Sequence, residues 1–146
     1  QTQEIPTHVL LQAGVGGLAA ALAAELRLSW GDAPQIIVVE PDAAPALMES
    51  IRAGHVVVTD GPVSAMGRLD CKTPSMLALA DLAHDADFFV TLTEAEAATG
   101  AAAMAAAGLP STPSGAAGFA AVLAGLAGIG PTSHVLCILS EGPEDA

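Results

Sequence analysis

The sequence predicts an α/β fold in which a mostly parallel sheet carries helices on both faces, a three-layer arrangement, and three observations support it. The strand-like segments are continuous apolar runs rather than alternating ones, as expected of strands buried on both sides. Stretches of strong helix formers separate them, as crossovers between parallel strands require. Finally, hydrophobic residues make up 52% of the chain but aromatics only 3%, with no Tyr. The core must therefore be built from Ala, Leu, Val and Ile at close backbone distances, which suits helices lying tightly on a sheet. At 146 residues the chain has the length of one domain with a sizeable core.

The elements follow in order. Thr7 to Gln12 (THVLLQ) is an apolar run that stops at glycines, and Leu18 to Leu28 is rich in helix formers, so a strand, a tight turn and a helix are expected. Ile36 to Glu40 (IIVVE) reads as a second buried strand. Pro45 to Ala53 reads as a helix, with Asp42 near its start and Gly54 just past its end. His55 to Thr59 (HVVVT) is expected to be a third, short strand, followed by the loop DGPVSAMGRLDCKTPS, the longest irregular stretch. Met76 to His84 is then helical and Phe88 to Leu92 a strand, and Thr93 with Glu96 forms a capping box for a helix ending near Gly108. Gly115 to Ala127 and His134 to Ser140 complete the chain as a helix and a strand.

Charge narrows the partners. Sixteen acidic against four basic side chains leave a net charge of -12, which repels nucleic acid and anionic membrane surfaces. The apolar stretch Gly115 to Gly130 falls short of the ~20 residues a membrane span needs, and its glycines point to a buried helix instead. QTQEIPTH lacks the basic and apolar regions of a secretory signal. Cys71 and Cys137 show neither metal-ligand spacing nor a disulfide framework, so no metal is expected and a reduced, cytoplasmic setting is.

In parallel sheets, ligands sit at the carboxyl ends of the strands. Three features fall there: the glycine turn, Glu40, and Ser140-Glu141-Gly142. The turn admits three readings. Gly14-Val15-Gly16-Gly17-Leu18-Ala19 satisfies G-x-G-x-x-A, and with Glu40 as a ribose-binding acid it would suit the nicotinamide dinucleotide site of an oxidoreductase. Backbone amides at a helix start also suit any phosphate, including that of a non-catalytic ligand-binding domain. Glycines there can equally serve close strand–helix packing alone. Asp70, Cys71 and Lys72 belong to the long loop and read as solvated, as do Asp85 and Asp87, and the four isolated histidines read as surface or edge residues.

Four stretches in this order, VLLQAGVGGLAAALAA, IIVVEP, GRLDCKTPS and ILSEG, together resemble the C-terminal part of the fold-type II pyridoxal phosphate enzymes, the tryptophan synthase β-like superfamily. Within it, LQAGVGG and LSEGPEDA are most similar to the diaminopropionate ammonia-lyases, then to serine and threonine dehydratases. The resemblance implies that the amides of Gly14, Val15, Gly16, Gly17 and Leu18 hold the 5'-phosphate of pyridoxal 5'-phosphate. It also implies that Ser140 faces the pyridine nitrogen, a neutral partner that suits β-elimination. Glu40 would then organise loops rather than bind ligand, and Thr112-Pro113-Ser114-Gly115 stands where the family often carries Glu.

The implied activity is that of an ammonia-lyase or dehydratase converting a small amino acid (diaminopropionate-like, serine or threonine) to a keto acid and ammonia. Such an enzyme needs a Schiff-base lysine. The chain has one lysine, Lys72, outside the family's lysine motif, so no catalytic residue is assigned. The expectation is that residues 1–146 form a single α/β domain, the C-terminal fragment of a longer enzyme without its lysine-bearing N-terminal half, inactive alone. Its expected partners are a small amino-acid substrate and either its own missing half or, in the intact protein, a second copy in a homodimer.

Overall fold

The fold, seen in a computed structural model that describes residues 4–144, is organised around strand β1 (His8–Gln12), buried along its whole length. A glycine turn leads from it into helix α1 (Gly17–Trp30), which ends at Gly31 with φ +58°. Strand β2 (Gln35–Pro41) pairs with β1 in parallel register, His8 opposite Gln35 and Gln12 opposite Val39. Helix α2 (Ala46–Ala53) closes at Gly54, φ +74°, as its sequence anticipates. Helix α3 (Met76–Asp85) starts at Ser75, whose hydroxyl accepts the Ala78 amide hydrogen. Strand β3 (Phe88–Leu92) then pairs in parallel with β2, and helix α4 (Glu94–Ala106) opens on the expected capping box of Thr93 and Glu96. Helix α5 (Ala117–Ala124) leads to strand β4 (Val135–Cys137), parallel to β1.

The sheet order is β3-β2-β1-β4, with every pairing parallel. Alternate strand residues feed two cores. Val9, Leu11, Ile36 and Val38 pack on one face with Ala19, Ala20 and Ala23 of α1 and with Ala78 and Leu82 of α3. Leu10, Ile37 and Val39 pack on the other with Ala97 of α4 and Ala117, Ala120 and Ala121 of α5. This is the expected three-layer α/β arrangement. The small side chains also act as expected: a Cβ on Gly100 of α4 would lie 2.2 Å from that of Ala120, so α4 and α5 touch backbone to backbone.

Five local expectations are corrected. His55 to Thr59 joins no sheet, because β3 already occupies the free edge of β2. Its backbone is served elsewhere, Val57 N–H donating to Ser50 Oγ and Thr59 N–H to the Lys72 carbonyl. Asp42 does not cap α2; Glu40 does, as described below. The last helix covers only eight residues, broken at Gly125 with φ +99°, and no helix among the described residues is long and apolar enough to cross a membrane. The last strand stops at Cys137, and the next carbonyl, that of Ile138, accepts from the Gln12 side chain. Asp87 is more than a solvated acid: its Oδ2 accepts from Arg27 (2.8 Å) and from the Ile36 amide (2.8 Å), fixing the start of β2.

Candidate cofactor site

From β1 the chain advances to β2 and β3 with its crossover helices α1 and α3 on one face. It then returns to the far side of β1, as β4, through α4 and α5 on the other face. The carboxyl ends of β1 and β4 therefore flank the switch point, where a parallel sheet leaves a crevice. A cavity of about 290 Å³ lies there, and both the glycine turn (Gly14 to Leu18) and Ser140 line it. The structure thus brings together two groups of residues more than a hundred positions apart.

The turn's geometry comes from its glycines. Gly16 has φ +102°, and a Cβ there would meet Leu47 of α2 and Ala78 of α3, both at 3.1 Å. A Cβ on Gly14 would stand 2.8 Å from the Arg68 carbonyl and 3.0 Å from Cys71 Sγ. Gly17 differs: nothing lies within 4 Å of its Cβ position, which is open space. Before the turn, Ala13 N–H donates to the Val39 carbonyl, and after it Ala20 N–H donates to that of Gly16. Between them the amides of Gly14 to Ala19 find no acceptor among the described residues. A row of free donors at the start of a fourteen-residue helix is a cradle for an anion.

The cavity wall also contains residues to which the sequence assigns no role. Arg68, on the short 3-10 turn Gly67–Leu69, stands at the rim, largely exposed, with its Nε 3.5 Å from Glu141 Oε2. Its own amide donates to Ser114 Oγ, which ties the long loop to the approach to α5. Glu141 is held in turn by Ser111, whose hydroxyl donates to its carbonyl, and by Thr112, whose hydroxyl donates to its carboxylate. Thr112-Pro113-Ser114-Gly115 therefore organises the cavity wall, and Glu141 supplies a carboxylate beside it. Gln12 is the most connected residue missed: its Nε2, with two hydrogens to give, lies within hydrogen-bonding distance of three acceptors, the carbonyls of Ile138 (2.8 Å) and Gly115 (3.1 Å) and Ser140 Oγ (2.9 Å). A glutamine at the last place of an otherwise apolar strand, just before the glycines, was the available signal.

Glu40 is fully buried, and its two oxygens accept the amides of Leu47 (2.7 Å) and Met48 (2.9 Å). Burial pushes its carboxyl up to about 7, against those two donors, which favour the charged form. Nothing of it is left for a ribose, which removes the acid that a nicotinamide site on this turn would need. Lys72 is equally committed. Its ammonium donates to the Ala43 carbonyl (2.8 Å), the Pro62 carbonyl (2.7 Å) and Asp70 Oδ1 (2.7 Å), and so holds the loop together rather than facing solvent as expected. Cys71 lines the cavity.

A parallel sheet with a row of free amides at its switch point is an arrangement able to hold a phosphate, and the chain belongs to the family described as pyridoxal-phosphate dependent enzymes, whose model matches residues 1–141. The closing LSEGPEDA extends past that match, and its final two residues lie outside the described ones. Diaminopropionate ammonia-lyase of Escherichia coli (strain K12) is 36% identical over 99 residues, which cover 65% of this chain and 24% of that protein. A crystal structure of the Escherichia coli diaminopropionate ammonia lyase with an aminoacrylate-PLP azomethine reaction intermediate has a TM-score of 0.77 and 29% identity. It matches 95% of this chain and 39% of its own. The threonine deaminase of T.th. shares the fold, with a TM-score of 0.88 and 24% identity, over 97% of this chain and 50% of its own. The chain thus spans about a quarter of the curated relative's length and half or less of these structures. The family resemblance read from the sequence and its tryptophan synthase β-like fold are both confirmed.

Proposed function

We propose that this chain is the cofactor-binding part of a pyridoxal phosphate-dependent ammonia-lyase or dehydratase. The reaction is an α,β-elimination on a small amino acid (diaminopropionate-like, serine or threonine), yielding a keto acid and ammonia. The observation that carries the reading is the shared cavity: free amides of the glycine turn on one side and the Ser140 hydroxyl on the other, at the ends of adjacent strands. The likeness to diaminopropionate ammonia-lyase supports the reaction class.

The donor set fits the cofactor. Gly14, Val15, Gly16, Gly17 and Leu18 would hold its phosphate dianion through backbone N–H groups, with the start of α1 adding a favourable potential. Val15 costs nothing here, because a valine amide donates as well as a glycine amide. Arg68 offsets part of the anion's charge at the rim, in a chain that is otherwise strongly acidic. Ser140 offers a neutral hydroxyl to the ring nitrogen. When bound, the cofactor supplies the electron sink that makes the substrate's α-hydrogen acidic.

The base for that hydrogen is a lysine from a segment outside these residues. Lys72, tied by three hydrogen bonds, does not supply it. We read residues 1–146 as one α/β domain that works with a lysine-bearing N-terminal half, inactive without it. The intact enzyme is a homodimer in the cytoplasm in this reading, and the two free cysteines suit a reduced compartment.

The test has two arms. This chain is titrated with inorganic phosphate and with pyridoxal phosphate, and it should bind both without forming an adduct that borohydride can trap. The longest polypeptide encoded around this sequence is then assayed for keto acid from diaminopropionate, serine and threonine. A longer protein that binds pyridoxal phosphate yet releases no keto acid from any of the three would refute the reading.

A further inference from the structure

We infer that Gln12 is a positioning residue that aims the Ser140 hydroxyl proton into the cavity, where it selects an unprotonated aromatic nitrogen as its acceptor. The inference rests on the reading of Ser140 as the partner of the cofactor's ring nitrogen.

The hydrogen-bond chemistry fixes which way the Gln12 amide faces. Two of the three atoms around its Nε2 are carbonyl oxygens, those of Ile138 and Gly115, and a carbonyl only accepts. The nitrogen end must face them. The oxygen end, Oε1, is buried without a partner and lies against Gly118 of α5, where an added Cβ would come within 3.1 Å of it. The absence of a side chain at Gly118 makes room for the carboxamide.

Two consequences follow for Ser140. An amide nitrogen has two hydrogens and no lone pair to offer; its two shortest contacts are the Ile138 carbonyl (2.8 Å) and Ser140 Oγ (2.9 Å), so Ser140 Oγ accepts from Gln12 and cannot donate to it. No other partner of Ser140 Oγ exists among the described residues, and Ser140 is exposed to the cavity. The proton is left to point there, and accepting a hydrogen bond from Gln12 makes the hydroxyl a better donor. A ring nitrogen with a free lone pair is matched, whereas a protonated one meets a donor. Gln12 thus sets the protonation state that this site favours, although it lies behind Ser140.

The test uses pyridoxal phosphate labelled with 15N in the ring, bound to the protein and to its Gln12→Glu and Ser140→Ala variants, with the ring-nitrogen chemical shift followed against pH. Gln12→Glu keeps the shape; facing the carbonyls of Ile138 and Gly115, its carboxyl holds its proton toward them and presents an oxygen lone pair to Ser140, which lets the hydroxyl turn around. The ring nitrogen should then take up its proton at a pH about one unit higher than in the parent protein, a roughly tenfold change in acidity. A Gln12→Glu titration that superimposes on the parent, while Ser140→Ala shifts it, overturns the role of Gln12. A Ser140→Ala titration identical to the parent refutes the reading of Ser140 itself. Should Gln12→Glu fail to fold, the side-chain amide proton signals of Gln12 decide: they should move when Ser140→Ala removes the acceptor, and unmoved signals overturn the inference.

Discussion

Glu40 at the end of β2 accepts the amide of Leu47 at 2.7 Å, so a strand residue, rather than a residue of the preceding loop, caps helix α2. The same Leu47 packs against Gly16 of the glycine turn. One buried carboxyl therefore stands behind the wall of the cradle.

That carboxyl makes stability depend on pH. Its folded value, about 7, lies above the ordinary 4.5, so between these limits the folded state holds more protons than the unfolded one, and stability falls as pH rises. Glu40→Gln cannot ionise. The parent protein should lose up to about 3 kcal/mol relative to this variant between pH 5 and pH 8. Denaturant titrations of both proteins across that range check it; parallel pH profiles would show that Glu40 does not titrate in the window.

Two neighbouring glycines should respond in opposite ways. Gly16→Ala forces a side chain into a positive φ and against Leu47 and Ala78, and should cost about 1–3 kcal/mol. Gly17→Ala meets no atom within 4 Å, so it should leave stability within about 1 kcal/mol of the parent, on the favourable side. Gly17 also lines the cavity, however, and a methyl there should weaken inorganic phosphate binding roughly tenfold. Thermal melts and a 31P titration separate the two effects. A Gly17→Ala protein that binds phosphate as the parent does would place the anion elsewhere.

Lys72 should behave as a structural cation. Lys72→Met leaves the carbonyls of Ala43 and Pro62 and the Asp70 carboxylate without their donor, a loss of about 1–3 kcal/mol. The Lys72 ammonium beside Asp70 holds that carboxyl below its usual range. The Asp70 share of that contribution is therefore present above the ordinary Asp value and disappears as pH falls, so the gap between parent and variant should narrow in acid while the part due to the two carbonyls remains. Peptide mapping after borohydride treatment with pyridoxal phosphate should leave Lys72 unlabelled. A label on Lys72 would contradict its structural role.

How much of this was legible beforehand depends on the range of the interactions. Apolar runs, capping residues and glycine stops act over a few neighbours, so the alternation of strands and helices, the capping box at Thr93 and the turn at Gly14 to Gly17 could all be read from the chain alone. The resemblance carried by four ordered stretches added the family and placed Ser140 beside the turn. The remainder depended on three-dimensional contacts, because strand pairing and buried polar partners join distant positions. His55 to Thr59 has the composition of a strand, but β3 holds the only free edge of β2. Glu40 looks like a ligand until two helix amides engage both its oxygens. Gln12 acquires a role only when the parallel pairing of β1 with β4 brings Ser140 within reach of its amide, 128 residues along the chain.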